Sequence, residues 1–296
     1  MSGVDSPSRL TRKSRSNFYY AFLSLPRARR EALYAVYAFC RTVDDIADLG
    51  AGDGADPAAR RSELSRWREE IARCYDPGSA PVHPIARRLA AAVRAYGIPR
   101  DALEAIVDGV AMDLERTTYE TAEDLYPYCY RVASAVGLCC IEIFGYTDAR
   151  AREYAINLGL ALQLTNIIRD VGADARAGRV YLPQADLRKF GVTPDDLRAG
   201  RHTDAFVRLM AHAAERARHF YRAARVAYPA VDARALVAAE IMGQIYLALL
   251  EEIEARRFRV FEARITLPAR RKLAIALRCW AAARFLGAAW GRGRVA

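Results

Sequence analysis

The sequence predicts an all-α fold, a single-domain bundle of helices around a central apolar cavity. Three observations predict it. Alanine, leucine and arginine dominate a chain of 296 residues that is 53% apolar, a composition suited to helices over a sizeable core. No segment carries the sustained period-2 run of β-branched residues that a half-buried strand requires. Apolar residues recur at helical spacing between turn signals, and no internal repeat or low-complexity linker divides the chain.

The elements follow in order. Pro26 marks the first turn of a helix predicted over 27–48. A Gly/Asp/Pro-rich break at 50–57 precedes a helix over 58–75, which stops at Asp76-Pro77-Gly78. Pro84 opens a helix over 84–96, and Gly97 is placed to close it. Helices are predicted next over 100–114, over 122–144 with Gly137 inside, and over 150–174. A loop with Gly178 and Pro183 leads to a helix near Leu197 and to helices over 203–228, 233–256 and 268–286. Residues 1–15 read as a polar, disordered tail without a targeting signal, and 16–290 as the domain. No stretch of 18 uncharged apolar residues occurs, so no transmembrane helix is expected.

The formal net charge of +10 is unevenly placed. Residues 255–296 hold 11 Lys and Arg against one acid, Glu262, so the body before them is neutral. With Trp280, Phe285 and Trp290 interleaved, the segment reads equally as a solvated basic helix or as a peripheral contact with an anionic membrane. No nucleic-acid partner is expected. The six cysteines form no CxxC pair and read as reduced, buried hydrophobes of a cytoplasmic protein, peripheral at the inner membrane face if the basic segment docks.

Two helices carry polar stripes. Along 154–174, Ile156, Leu158, Leu160, Leu164, Ile167 and Ile168 point in most directions, which places that helix at the centre of the fold. Yet Gln163, Asn166, Asp170 and Asp174 fall within roughly 80° of one another at helical spacing. Tyr34, Tyr37, Arg41, Asp44 and Asp48 form a second narrow stripe, with Asp45 beside it. Buried carboxylates need ion partners or metals. One stripe alone fits an ion network with Arg169 or Arg176. Two acid pairs at i, i+4 fit better a divalent cation shared with substrate phosphates, because magnesium is held by a few carboxylates plus phosphate oxygens. No Walker A loop or nucleophile elbow accompanies them. The chemistry indicated is loss of diphosphate stabilised by metal and Arg, with an apolar pocket shielding the carbocation.

The runs Tyr37-Ala-Phe-Cys-Arg-Thr-Val-Asp-Asp-Ile-Ala-Asp48, Tyr128-Cys-Tyr-Arg-Val-Ala133 and Leu164-Thr-Asn-Ile-Ile-Arg-Asp-Val-Gly-Ala-Asp174, with Gly178-Arg-Val-Tyr-Leu-Pro183, resemble the squalene/phytoene synthase family of head-to-head prenyl transferases. The resemblance spans about residues 17–272 and implies an isoprenoid-synthase-type bundle. It implies that Asp44, Asp48, Asp170 and Asp174 bind Mg²⁺, with Mn²⁺ as a substitute. Arg41, Arg169, Tyr246 and Arg264 would contact diphosphate. Tyr37, Gln163, Asn166 and Tyr181 would line the reaction centre, with Tyr128 close to the first diphosphate. Ser16-Asn17-Phe18 takes the place of a serine-containing diphosphate loop, with Asn17 departing from its usual hydroxyl.

Ser16-Asn17-Phe18-Tyr19-Tyr20, Met112-Asp-Leu-Glu115, Glu142-Ile-Phe-Gly-Tyr146 and Arg264-Ile-Thr-Leu267 resemble the bacterial branch that makes presqualene diphosphate for hopanoids. Two farnesyl diphosphates are then the expected substrates, and NADPH is not expected to be required. The alternatives are phytoene formation from geranylgeranyl diphosphate, NADPH-dependent squalene formation, and a non-catalytic assembly homologue. The intact acid pairs weigh against the last.

Overall fold

A computed structural model describes residues 25–48 and 56–285. Among them are twelve α-helices and no strand; one isolated bridge pairs Thr118 with Val180. The helices are α1 Arg27–Asp48, α2 Pro57–Tyr75, α3 Pro84–Tyr96, α4 Arg100–Glu115, α5 Ala122–Cys129, α6 Ala135–Phe144 and α7 Arg150–Arg176. After them come α8 Gln184–Phe190, α9 Pro194–Arg198, α10 Asp204–Ala227, α11 Val237–Ala255 and α12 Ala269–Phe285. The predicted tail over 1–15, the loop Ser16-Asn17-Phe18 and the end of the domain lie outside the described residues.

Local chemistry sets most boundaries. Asp56 caps α2 by accepting from the Ala58 N–H at 2.9 Å, with Pro57 in the first turn. His83 does the same for α3, which ends at Gly97 with φ +66°. Helix α8 departs from the expected loop. Pro183 precedes it and Gly191, at φ +68°, ends it, but seven residues are too few to show a period. Helix α11 starts at Val237 rather than 233, because a 3-10 turn at Ala230–Asp232 comes first.

Helix α7 is the axis. It packs along α10 and against α6, α9 and α11, while α1 lies across α2, α3, α4 and α6. Between α5 and α6 the chain makes a π-helical turn, Tyr130–Ser134, which helical periodicity alone did not indicate. Two glycines admit it. A Cβ on Gly159 of α7 would lie 2.5 Å from Ser134 Cα, and one on Gly109 of α4 would lie 2.7 Å from Val132 Cγ1. Ser134 Oγ locks the crossing by donating to the Ile156 carbonyl at 2.7 Å. The continuous segment Ala122–Phe144 has the length and mean hydropathy, 1.2, of a membrane-spanning helix. Its apolarity is used here within the bundle, against α4 and α7.

Candidate active site

The two stripes do meet. Helices α1, α6, α7 and α11 and the π turn enclose an apolar cavity of about 340 Å³. Leu33, Val36, Cys40, Phe144, Leu158 and Met242 line its depth, and Tyr37 and Tyr246 add aromatic surface. A second chamber of about 330 Å³ abuts it and is polar. Asp44, Asp113, Asp170 and Asp174 line this chamber, with Arg169, Arg179, Arg264, Tyr128 and Tyr181. Asp44, Val132, Gln163 and Asn166 belong to both and form the wall between them.

Each half of the chamber has its own electrostatics. Burial would raise the Asp170 carboxyl, but hydrogen bonds from Arg169 and Arg264 outweigh it and hold its pKa below the ordinary value. Arg264 grips both carboxylate oxygens at 3.0 Å, and Arg169 forks the same pair. Arg169 is itself 8% exposed and hydrogen-bonds Tyr246. One turn on, Asp174 has no such clamp. Burial, then the charge of Asp170, pushes its pKa up to about 7. That is the signature of carboxylates short of positive charge.

On the opposite wall Asp113 accepts from Tyr181 at 2.8 Å and from Tyr128 at 3.0 Å. The two tyrosine rings stack at 5.1 Å. Burial and the Asp113 charge raise both hydroxyls, so they remain protonated donors. At the partition, Asn166 donates to Gln163 at 3.2 Å, while Asn166 Oδ1 is buried without a hydrogen-bond partner. A buried orphan acceptor at this point has electrostatic use only for a cationic or donor group beside it.

The structure also redistributes residues. Arg41 lies on the cavity side and pairs with Asp45 at 2.6 Å, apart from Arg169 and Arg264. Tyr37 and Tyr246 likewise line the apolar cavity. Asp48 ends the α1 backbone, but its side chain lies outside what is described. Arg169 partners Asp170, so the ion network and the stripe coexist. Sequence reasoning missed Asp113 and Arg179 as chamber residues. Arg179 reaches the Ala47 carbonyl at 3.3 Å, tying the loop after α7 to α1. Lys272 has its pKa lowered by burial and by the nearby Arg169. Asp113 was visible only as part of Met112-Asp-Leu-Glu115, whose two acids, two residues apart, do not share a helix face.

A cation-seeking acid chamber over a water-poor apolar cavity defines a class: helical enzymes that handle an anionic head on a long apolar tail. Residues 11–271 match the squalene/phytoene synthase family, and the chain belongs to that family of prenyl-transferring, head-to-head synthases. It is 40% identical to the presqualene diphosphate synthase of Rhodopseudomonas palustris over 269 residues, 88% of this chain and 92% of that protein. It is 33% identical to the 15-cis-phytoene synthase of Synechococcus elongatus over 281 residues, covering 89% and 88%. A ligand-bound dehydrosqualene synthase structure superposes with a TM-score of 0.82 at 27% identity, over 92% of this chain and 93% of that one.

Proposed function

We propose that this enzyme condenses two farnesyl diphosphates head to head into presqualene diphosphate. One observation carries the reading: the acid chamber and the apolar cavity share a wall, so a diphosphate can sit in one while its prenyl chain fills the other. The similarity to a presqualene diphosphate synthase at 40% identity supports the product.

The atoms balance as follows. The C1–O bond of the donor breaks and diphosphate leaves with the electron pair. The π electrons of the acceptor's C2=C3 bond then join its C2 to the donor C1 and leave the cation at C3. A proton lost from that C1, with the released diphosphate or Tyr37 as base, leaves the pair that forms the C1–C3 bond and closes the cyclopropane. No electrons enter or leave, so this reaction has no need of NADPH.

The chamber fits Mg²⁺, or Mn²⁺ in its place. Asp44, Asp48, Asp170 and Asp174 would hold it, and the elevated Asp174 is the group whose charge asks for a cation. Among the described residues no three His, Cys, Asp or Glu side chains form a metal-type cluster; magnesium would need substrate oxygens to complete its coordination. When bound, the metal supplies Lewis-acid stabilisation of the departing diphosphate. The chain's own residues do the rest. Arg264 and Arg169 orient the diphosphate, and Tyr246 holds Arg169 in place. Gln163 and Asn166 present amide dipoles at the wall where charge separates. The cavity walls exclude water from the cation, and the faces of Tyr37 and Tyr246 offer it π density.

The 33% identity to a 15-cis-phytoene synthase favours a second reading, the same chemistry on geranylgeranyl diphosphate. Incubation with each diphosphate and Mg²⁺, with and without NADPH, separates the two. Presqualene diphosphate from farnesyl diphosphate without NADPH is the expected product. Turnover of geranylgeranyl diphosphate alone would replace the first reading by the second.

A further inference from the structure

Helix α12 is the last described element of the fold and rests on α11. Its inner face buries Ile275, Ala276, Cys279 and Ala282. A surface helix of an ordinary bundle would be polar outside. This one is not. Leu273, Leu277, Trp280 and Phe285 are 48%, 59%, 46% and 76% exposed, four of the seven large apolar side chains exposed among the described residues. Leu273, Leu277 and Trp280 recur at i, i+4 and i+7 and so form one ridge.

The ridge is set among cations. Helix α12 contains Arg270, Arg271, Lys272, Arg278 and Arg284 and no acid. Arg271 pairs with Glu252 at 2.9 Å; Arg270, Arg278 and Arg284 have no acidic partner among the described residues. Residues 255–296, which include this helix, carry the entire net charge of the chain.

We infer that the exposed face of α12 docks on an anionic lipid surface, with the helix lying in the plane of the interface. The charge argues for that occupant over a second copy of the chain. A two-fold self-contact would set one uncompensated basic face against its twin. An anionic bilayer instead offers apolar depth for the ridge and negative headgroups for the arginines. The helix also links the surface to the site, because it packs on α11, whose Tyr246 lines the apolar cavity and bonds Arg169 of the diphosphate chamber. Docking would hold that chamber beside the membrane into which a long apolar product partitions. This purpose rests on the reaction proposed above; the docking face does not.

The test is substrate-free vesicle sedimentation. Phosphatidylcholine vesicles with about 30% phosphatidylglycerol should bind the full chain, and pure phosphatidylcholine should bind it weakly. The triple variant Leu273→Ser, Leu277→Ser, Trp280→Ser should lose about tenfold or more in partition. Arg278→Glu with Arg284→Glu should lose a similar amount and flatten the salt dependence. A Trp290→Phe background leaves only buried Trp67 and exposed Trp280, so brominated lipid should quench Trp280 without altering the helix. Unchanged sedimentation in both variants, or no quenching, would overturn the inference. So would a dimer in solution that the triple variant abolishes while vesicle binding persists.

Discussion

The apolar cavity and the acid chamber are nearly equal in volume, about 340 and 330 Å³, and share four residues, yet they treat charge in opposite ways. The cavity offers Leu33, Val36, Leu158 and Met242, which solvate nothing. The chamber crowds four aspartates into a space where burial, and then the charge of Asp170, drive Asp174 up to about 7. The lesson is that ionisation requires both at once: one side must welcome a departing anion, and the other must keep water off the cation left behind. The wall of Asp44, Val132, Gln163 and Asn166 is where those demands meet. It exists because a π turn is wedged between two glycine-bearing helices.

The sharpest way to break the contrast is to empty the chamber of charge. Asp170→Ala removes the carboxylate that Arg264 and Arg169 grip, and Asp44→Ala removes the one at the shared wall. Each should cut diphosphate release by about 10³-fold, measured with farnesyl diphosphate and Mg²⁺; full activity in either would end the proposed mechanism. Circular dichroism should show a retained fold for Asp44→Ala, whereas Asp170→Ala also strands the buried Arg169 and should melt earlier.

Breaking the wall itself should come next in size. Gly159→Ala drives a methyl to 2.5 Å from Ser134 Cα, where backbone rather than a flexible side chain must move. The expected cost is about 1–3 kcal/mol, seen as a fall in Tm of roughly 2–4 °C per kcal/mol. Product yield should fall with it, since the displaced turn carries Val132. An unchanged Tm would mean that the crossing is looser than drawn.

A smaller effect should appear in the chamber's pH response. With Asp174 raised above its unfolded value of 3.8, the folded, metal-free protein binds an extra proton between that pH and about 7. The stability from this group is full below the unfolded pKa and is lost as pH rises through about 7. Asp174→Asn should flatten this fall and raise the Tm at neutral pH in the presence of a chelator. A lower Tm at neutral pH would contradict the assigned crowding. The mildest change should come from the apolar side. Met242→Ala enlarges the cavity without touching the acids, and should shift the kcat/KM ratio toward the longer prenyl diphosphate by about tenfold. No shift would place chain-length selection elsewhere.

Much of this contrast was legible before any fold was known. Helical spacing put Gln163, Asn166, Asp170 and Asp174 on one face, and the structure keeps all four on the wall or in the chamber. The π turn was not legible, because a five-residue change of pitch inside an apolar run leaves no periodic trace. Asp113 and Arg179 were not legible as site residues either. Neither belongs to a polar stripe on its own segment, and each acquires a role only across space, from the tyrosines and from α1. Arg41 shows the converse: the right face, but an ion partner, Asp45, that keeps it on the cavity side.

The sequence by itself determined the all-helical class, the central position of α7 and the two acid stripes, because these depend on periodicity and on residue type within one element. Only the tertiary structure decided that acid chamber and apolar cavity are separate spaces with a common wall, and that α12 turns Leu273, Leu277 and Trp280 outward. Those are relations between elements, set by how closely glycine lets two backbones approach and by which face of a helix its neighbour leaves uncovered.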